Sequence, residues 1–369
     1  MLSIVWGTLL SCSLFAQQVT SPDGMLQVKL NSSDNGSLSY EVHYKNQEVL
    51  EKSPLGLNAN IGNFSSELTF LTAETKSINE TYSLSHAKTS RVNYKANELI
   101  STYLNSNKDT LKVVFKVANN DISLAYRISS PNKSRLTVFE EKTGFKFHPD
   151  TKTFITPQIQ GSQGWMATKP SYEEEYTYEE PVGTPSKYGL GYTFPGLFKL
   201  KNDFWVLLSE TGVNSQYVGT RLGEATSEGL YSIAFPDESE NAGIGSTFAT
   251  TSLPFQSSWK TITVGDNLAP IVETTSAYDV VKSEYSPSQH YVPGRTTWSW
   301  ILWQDGSCNY KDQQIFIDLA ADLNFEYILI DALWDKQIGY EHMPSLIKYA
   351  QNKGVDVILW YNSNGAWND

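Results

Sequence analysis

The sequence feature that most constrains the fold is a short apolar run that ends abruptly in a carboxylate. Tyr327–Ile330 carries no charged residue and is followed by Asp331 and then by Trp334. An apolar run without alternation is typical of a parallel strand that is covered on both faces. A charged residue at the C-terminal end of such a strand lies where α/β barrels carry their chemistry. The pattern recurs from Val355 to Asn362.

Helical segments separate the predicted strands. Met343 to Lys353 has helical spacing, with Gly354 as its C-cap. A third strand with three tryptophans is predicted from Thr296 to Trp303, and Asp312 to Leu323 is predicted as the helix that follows it. Strands that alternate with helices indicate βα units and a parallel sheet. The apolar positions of the second predicted helix are Ile315, Phe316, Leu319, Ala320 and Leu323.

The number of predicted parallel strands is too small for a closed fold. A (β/α)8 barrel, the TIM barrel, needs eight strands, and three strands alone leave two sheet edges exposed. We therefore expect residues 286–369 to form the first three βα units of an α/β barrel that is incomplete within this sequence.

Residues 17–285 have the pattern of an all-β domain. Met25–Leu30 and Leu38–Tyr44 alternate apolar and polar residues, and the intervening Asn35-Gly36 is a strong hairpin signal. No convincing amphipathic helix interrupts the region, which predicts a large two-sheet sandwich. Further strands are predicted at Leu111–Val117, Ile122–Ile128, Phe204–Leu208 and Leu230–Phe235.

Residues 1–16 have the features of a signal peptide. An apolar core is followed by small residues and a plausible cleavage site after Ala16, although no Lys or Arg precedes the core. Leu9 to Cys12 is also typical of a lipoprotein signal in which Cys12 is acylated, and a first core strand is a further alternative. The pattern favours simple export, to the periplasm or the extracellular space.

Composition excludes two classes of partner. The net charge of −12 lacks the basic footprint that nucleic acid requires. No internal apolar run approaches the roughly 20 residues of a membrane-spanning helix. Aromatic residues reach 13%, with 10 Trp and 21 Tyr, which suits sugar binding but is also common in β-rich proteins. The two cysteines, Cys12 and Cys308, leave one thiol after cleavage and no internal disulfide.

An acidic and aromatic segment lies within the predicted sandwich. Glu173 to Glu175 and Glu179-Glu180 are interspersed with Tyr and Trp residues just before Pro181. Most such charge runs are solvated. The alternative is a loop that reaches over a neighbouring site and supplies a carboxylate to a hard cation such as Ca²⁺.

Several segments, in a fixed order, carry a family resemblance. Together they resemble glycoside hydrolase family 97, a family of secreted or periplasmic bacterial α-glucosidases and α-galactosidases. The match covers nearly the whole chain after the predicted leader. The segments are Ser21–Gly24, Asn119–Arg127, Leu208–Thr211, Trp259–Glu273, Tyr291–Trp300, Tyr327–Trp334 and Lys353–Gly365.

The resemblance implies a β-super-sandwich that packs on a (β/α)8 barrel, a bound Ca²⁺ and hydrolysis of an α-linked oligosaccharide. In the retaining branch the nucleophile is an Asp at the end of the fourth barrel strand, and the general acid lies later. Both positions would fall beyond Asp369, so we expect the chain alone to be inactive. Trp360–Gly365 is similar to the retaining branch. The family's Ca²⁺ site takes one Glu from the sandwich, for which Glu175 and Glu173 are both candidates.

Four residues at the ends of the predicted barrel strands are candidate substrate contacts. Asp331 is interpreted as an acceptor of hydrogen bonds from sugar hydroxyls, with a helix N-cap or a structural bond as the alternative. Trp334 and Trp360 could stack on pyranose faces or pack in the core, and we favour the sugar for Trp334 and packing for Trp360. Asn362 is equally suited to a hydroxyl contact and to a turn.

The leading functional interpretation is an exported α-glycosidase that acts on glucosides or galactosides and exists as a monomer or weak dimer. A non-catalytic carbohydrate-binding or scaffold module is the alternative. A sugar isomerase or epimerase is disfavoured, because the βα units follow the sandwich directly.

Overall fold

The computed structural model describes residues 17–84, 87–159, 175–243, 245–284 and 288–361. These residues divide into two compact units, with the boundary between Lys282 and Ser283. None of the described helices combines the length and the apolar character needed to cross a bilayer.

The first unit is almost entirely β-structure within its described residues. A 3-10 helix, Glu240–Gly243, and two short helices, α1 (Ala269–Glu273) and α2 (Ser276–Asp279), are its helical elements. Its strands are β1 (Gln17–Thr20), β2 (Leu26–Ser32), β3 (Leu38–Tyr44), β4 (Gln47–Leu55), β5 (Leu57–Ala59), β6 (Gly62–Asn63), β7 (Thr69–Ser83), β8 (Arg91–Leu104), β9 (Thr110–Val117), β10 (Asp121–Ser129), β11 (Arg135–Glu141), β12 (Gly144–Lys146), β13 (Lys152–Phe154), β14 (Glu180–Pro181), β15 (Gly196–Lys199), β16 (Trp205–Thr211), β17 (Arg221–Leu222), β18 (Leu230–Ala234), β19 (Ala249–Ser252), β20 (Phe255–Gln256) and β21 (Trp259–Gly265).

The described strands of the first unit form three antiparallel sheets. A seven-stranded sheet has the order β1-β2-β3-β4-β12-β18-β17. A ten-stranded sheet has the order β14-β13-β15-β16-β21-β10-β9-β8-β7, and β20 pairs with β10. The third sheet, β19-β11-β5-β6, has four strands. The sandwich is therefore confirmed, whereas the prediction of two sheets was wrong, because a short third sheet is built from segments that carry little strand signal of their own.

The predicted hairpin at the start of the sandwich is confirmed. β2 and β3 pair in register from Leu26 opposite Tyr44 to Ser32 opposite Leu38. Gly36 adopts φ +71° in the connecting loop, a conformation that favours glycine. The inward residues of both strands are buried, so the alternating pattern reports the core face correctly.

A buried ionic network joins the ten-stranded and four-stranded sheets. The Lys260 ammonium on β21 lies 3.1 Å from Glu141 Oε2 and 3.0 Å from Glu210 Oε1, and Lys260 is 1% exposed. Tyr217 and Thr143 donate hydrogen bonds to the two oxygens of Glu141. Because each buried charge has an opposite charge and hydrogen-bond partners, the network satisfies the requirement for charges in a core.

The second unit contains three parallel strands and intervening helices among residues 288–361. Its strands are β22 (Thr296–Trp298), β23 (Tyr327–Ile330) and β24 (Asp356–Leu359), with β23 in the centre. The register places Trp298 opposite Leu329, and Leu329 opposite Ile358. The helices are α3 (Trp300–Trp303), a 3-10 helix (Asp305–Ser307), α4 (Tyr310–Asp322), α5 (Trp334–Gln337) and α6 (Gly339–Asn352). This order is that of successive βα units.

Helix α4 begins and packs for identifiable reasons. The Asn309 side chain is its N-cap and accepts a hydrogen bond from the Asp312 backbone N–H at 3.0 Å. The core face consists of Gln313, Phe316, Ile317 and Ala320. The predicted apolar positions Ile315, Leu319 and Leu323 are 47%, 41% and 48% exposed, so the periodicity identified the helix and only part of its buried face.

Helix α6 confirms the predicted helix between the last two strands, although it begins earlier, at Gly339. Gly354, with φ +77°, follows its last turn and donates its N–H to the Gln351 carbonyl. This is the expected glycine termination.

Two details of the predicted parallel strands were wrong. The strand predicted from Thr296 to Trp303 ends at Trp298, because the chain turns helical at Ser299, which is fully buried and bound by other polar side chains. The strand Tyr327–Ile330 is covered on one face rather than two among the described residues. Ile328 and Ile330 are fully buried, whereas Tyr327 and Leu329 remain partly exposed.

Candidate active site at the carboxyl ends of the parallel strands

Asp331 lies at the junction of two neighbouring strands. It follows the last residue of β23 and is 6% exposed. Its Oδ2 accepts a hydrogen bond from Trp298 Nε1 at 2.6 Å, and its Oδ1 accepts one from the Ala332 backbone N–H at 2.6 Å. Because Trp298 is the last residue of β22, the parallel register brings these side chains together. Each carboxylate oxygen therefore has a fixed donor.

Two tryptophans form a stacked wall beside this carboxylate. The rings of Trp298 and Trp300 lie 5.9 Å apart with an interplanar angle of 20°. The Trp300 indole N–H donates to Asp305 Oδ1 at 2.7 Å. Both tryptophans are half-buried, so each keeps part of its ring surface accessible. Each indole in the stack is thus oriented by a different carboxylate.

A buried polar cluster supports the turn that carries these tryptophans. Gln313 Nε2 donates to Ser299 Oγ at 2.7 Å and to the Ser307 carbonyl at 2.7 Å, and Ser307 Oγ donates to Ser299 Oγ at 2.8 Å. All three residues are at most 1% exposed. These bonds fix Ser299 in the helical conformation that ends β22 after Trp298.

Cys308 is a buried free thiol close to Asp331. Burial raises the pKa of the Cys308 thiol to about 11, and the charge of Asp331 adds to this effect. A thiol with a raised pKa is a poor nucleophile at neutral pH, because the reactive species is the thiolate. We therefore assign Cys308 a packing role.

The chain after Asp331 makes a strained turn that buries Trp334. Leu333 has φ +68°, which is a genuine outlier for a bulky residue. Trp334 is 4% exposed, packs in the core of the second unit and donates its indole N–H to the Trp360 carbonyl at 3.0 Å. Burial leaves little of the Trp334 ring for a sugar. It agrees with packing in the core, whereas the sequence favoured a sugar contact for Trp334.

The other predicted site residues have varied positions. Trp360 is half-buried at the end of β24, where its backbone N–H donates to the Ile330 carbonyl. Asn362 and Glu173 lie outside the described residues. Glu175 lies in an exposed part of the first unit. The strand ends thus bring Asp331, Trp334 and Trp360 near one another, while sequence reasoning missed the bond from Trp298 to Asp331.

The fit to Ca²⁺ rests on the Glu175 carboxylate, whose oxygens are the hard donors that this cation prefers. Within the described part of the chain, no group of three or more His, Cys, Asp or Glu side chains is arranged to hold a metal ion. Glu175 is exposed, and its part in a Ca²⁺ site stays a prediction.

The described strand ends suit sugar binding better than complete catalysis. A glycosidase needs two carboxylates on either side of the scissile bond. Asp331 is the buried carboxylate at the described strand ends, and both of its oxygens already accept hydrogen bonds. Such a group can accept further hydrogen bonds from hydroxyls, since each oxygen has two lone pairs.

Comparison with known proteins defines the class. Residues 19–282 match the model of the family described as "Glycosyl-hydrolase 97 N-terminal", which places the chain in a family of glycoside hydrolases. The match includes β2 to β21, and thus most of the sandwich. The chain belongs to glycoside hydrolase family 97, as its sequence resemblance predicted.

Individual relatives extend the match across both units. A crystal structure of a "beta-arabinopyranosidase" is 47% identical, with a TM-score of 0.92, and the alignment covers 96% of this chain and 56% of that one. A "Probable retaining alpha-galactosidase" of Streptomyces bingchenggensis (strain BCW-1) is 22% identical over 92% of this chain and 51% of its own length.

A third relative supports the fold alone. The family 97 enzyme of Pseudoalteromonas sp. strain K8, solved with panose, is 18% identical with a TM-score of 0.76, over 92% of this chain and 53% of that one. The chain therefore spans about half the length of the relatives that it matches.

Proposed function

We propose that the whole protein is a retaining glycosidase that removes terminal β-L-arabinopyranosyl residues, with α-D-galactosides as secondary substrates. The observation that carries the proposal is the 47% identity, over 96% of the chain, to a protein named beta-arabinopyranosidase. The curated relative named as a probable retaining alpha-galactosidase supports the same substrate class. The α-glucosides that the family resemblance also allows become the weaker alternative.

Carbohydrate stereochemistry connects these two substrate names. A β-L-arabinopyranoside and an α-D-galactoside have the same configuration at every shared ring carbon and at the anomeric centre. They differ by the hydroxymethyl group on C5, whereas an α-D-glucoside differs from the galactoside at C4. A pocket that hydrogen-bonds the C4 hydroxyl therefore separates glucosides strongly, because the wrong epimer leaves a buried polar group unpaired.

The residues of the described strand ends take positioning roles in this proposal. Asp331 accepts hydrogen bonds from sugar hydroxyls, and the half-buried face of Trp360 flanks the ring. We place the nucleophile and the general acid outside this chain, in the part of the relatives that it does not match. Hydrolysis then proceeds with retention, through two carboxylates about 5–5.5 Å apart.

The test compares three aryl glycosides with the protein expressed from its complete gene. We expect kcat/KM for the β-L-arabinopyranoside to exceed that for the α-D-galactoside by roughly tenfold, since one extra hydroxymethyl group is at issue. The α-D-glucoside should be slower still, and NMR should show the first-formed sugar with retained configuration.

Several outcomes would contradict the proposal. Preference for the glucoside, or an inverted first product, would refute the substrate class or the mechanism. Turnover by the purified 369-residue chain would show that the catalytic carboxylates lie within it. Sugar binding with no turnover by the complete protein would favour the carbohydrate-binding module.

We also propose that Glu175 or Glu173 contributes to a Ca²⁺ site in the complete protein. Calorimetric titration should show roughly tenfold weaker Ca²⁺ binding for Glu175→Gln or for Glu173→Gln, because a carboxylate ligand loses its charge. Glu179→Gln, in the same acidic segment, is the matched control and should bind Ca²⁺ as the parent does. Unchanged affinity in both test variants would identify the segment as a solvated charge run.

A further inference from the structure

The orientation of Asp331 depends on a neighbouring strand. One oxygen is held by the adjacent Ala332 N–H, which would be available in any conformation of this turn. The other oxygen is held at 2.6 Å by the indole N–H of Trp298, from 33 positions earlier in the chain. With 6% exposure, Asp331 has little water to replace that donor if it is lost.

Trp298 is itself held in place from several sides. Its backbone pairs with Leu329 in the parallel sheet, two residues before Asp331. Its ring stacks on Trp300, which is anchored to Asp305 at 2.7 Å. The next residue, Ser299, is fixed by Gln313 and Ser307. The indole N–H is therefore aimed at Asp331 before any sugar binds, which is the preorganisation that a recognition group needs.

We propose that Trp298 is a positioning residue that sets the carboxylate plane of Asp331 toward the sugar hydroxyls and so contributes to substrate specificity. The inference rests on the proposed function, because it deepens the role assigned there to Asp331. Trp298 acts through Asp331 and not by contact with the reacting bond.

The chain contains a matched control for this role. Trp298 and Trp300 share one stack, and each donates its indole N–H to an aspartate at a similar distance, 2.6 Å and 2.7 Å. Trp300, however, donates to Asp305, which lies in the short 3-10 helix and not at a strand end. Each phenylalanine replacement removes one indole N–H from the stack. Only Trp298→Phe removes the hydrogen bond to Asp331.

The experiment measures kcat and KM for the β-L-arabinopyranoside with the protein from its complete gene, in Trp298→Phe, Trp300→Phe and Asp331→Asn. We expect Trp298→Phe to lower kcat/KM by roughly ten- to a hundredfold, chiefly through KM, with Trp300→Phe within about threefold of the parent. In the double variant with Asp331→Asn, Trp298→Phe should add no further loss, because its partner is already altered.

A second replacement keeps the test valid if phenylalanine disturbs folding. 3-Benzothienylalanine at position 298 retains the fused ring and the stack but has sulfur in place of the N–H. It should reproduce the loss in kcat/KM with the melting temperature of the parent. A kcat/KM within twofold of the parent in this variant, or losses from Trp298→Phe and Asp331→Asn that multiply, would overturn the inference.

The outcomes also separate this inference from the proposed function. If the complete protein hydrolyses a different glycoside, the same variants are measured on that substrate and the comparison of Trp298 with Trp300 is unchanged. If Asp331→Asn retains full activity, the positioning role of Asp331 is refuted, and that of Trp298 with it. If Asp331→Asn is impaired and Trp298→Phe is not, only the inference about Trp298 fails.

Discussion

Lys260 links two sheets through buried ion pairs with Glu141 and Glu210. Such pairs are destabilising if one partner is removed. Burial alone would raise the pKa of Glu210, but the charge of Lys260 and hydrogen bonds from Ser258 and Thr220 outweigh it, so this pKa lies below its usual value. Glu141, the other partner, is 2% exposed and accepts hydrogen bonds from Tyr217 and Thr143. Two buried carboxylates therefore depend on one buried ammonium group.

Removing that ammonium group tests its contribution. Lys260→Met should lower the free energy of unfolding by about 3–5 kcal/mol, because it leaves buried carboxylates without their cation. Lys29→Met replaces a side chain that is 42% exposed and whose ammonium group lies 3.8 Å from Glu41 Oε2, and it should cost less than about 1 kcal/mol. Urea titration followed by circular dichroism measures both, and equal losses in the two variants would refute the argument.

At the residue scale, the sequence identified Asp331 but not its partner. A carboxylate directly after an apolar strand is a local pattern, visible in four or five consecutive letters. The bond from Trp298 depends on the parallel register between strands that are separated by about thirty residues of helices and turns. The only available signal was that Trp298 lies near the end of its own strand, and that end was itself predicted five residues too late.

At the scale of elements, the segment around α2 is tied to the ten-stranded sheet by two aspartates. Asp279, the last residue of α2, accepts hydrogen bonds from Tyr82 at 2.5 Å and from Thr275. Asp121, at the start of β10, accepts hydrogen bonds from Thr263 and Thr274. Burial raises the pKa of Asp279 to about 6, and the charge of Asp121 adds to this effect while Lys116 opposes it.

The pH dependence of stability follows from this arrangement. An unfolded Asp releases its proton near pH ~3.9, whereas folded Asp279 holds it up to about pH 6. Between these values the folded chain binds more protons, so its stability falls as the pH rises through this window. Asp279→Asn should flatten that decline and stabilise the chain at pH 7 by about 1 kcal/mol, a figure reduced for the partial exposure of the carboxyl group.

Thermal unfolding between pH 4 and pH 7 checks this prediction. Asp34→Asn, in an exposed loop, is the matched control and should keep the slope of the parent. A slope for Asp279→Asn that is the same as that of the parent would show that Asp279 does not hold the extra proton.

Elements with local signals were predicted well, and those set by distant contacts were not. The hairpin of β2 and β3 and the glycine end of α6 follow from residues adjacent in the chain. The early end of β22 follows from the bonds that Gln313 and Ser307 make to Ser299. Trp300, Ile301 and Trp303 favour a strand locally, so the helix there is explained by the folded cluster.

At the scale of the whole molecule, the two units differ in how fully they cover their own apolar residues. The sandwich buries a continuous core between its sheets. In the second unit, Ile301, Leu302 and Trp303 are 58%, 68% and 49% exposed, and both outer strands of the three-stranded sheet have one unpaired edge among the described residues. Such surfaces usually mark an interface.

The position of β21 has a consequence for how the protein is made. This strand is the last of the sandwich in the sequence, yet it lies between β16 and β10, near the middle of the ten-stranded sheet. Until Gly265 has left the ribosome, β16 and β10 have no β21 between them to pair with. The sheet then has two hydrophobic inner edges open to mispairing. Vectorial synthesis thus allows the part from β7 to β10 to pair early, whereas the part from β13 to β16 joins it only after β21 has been made.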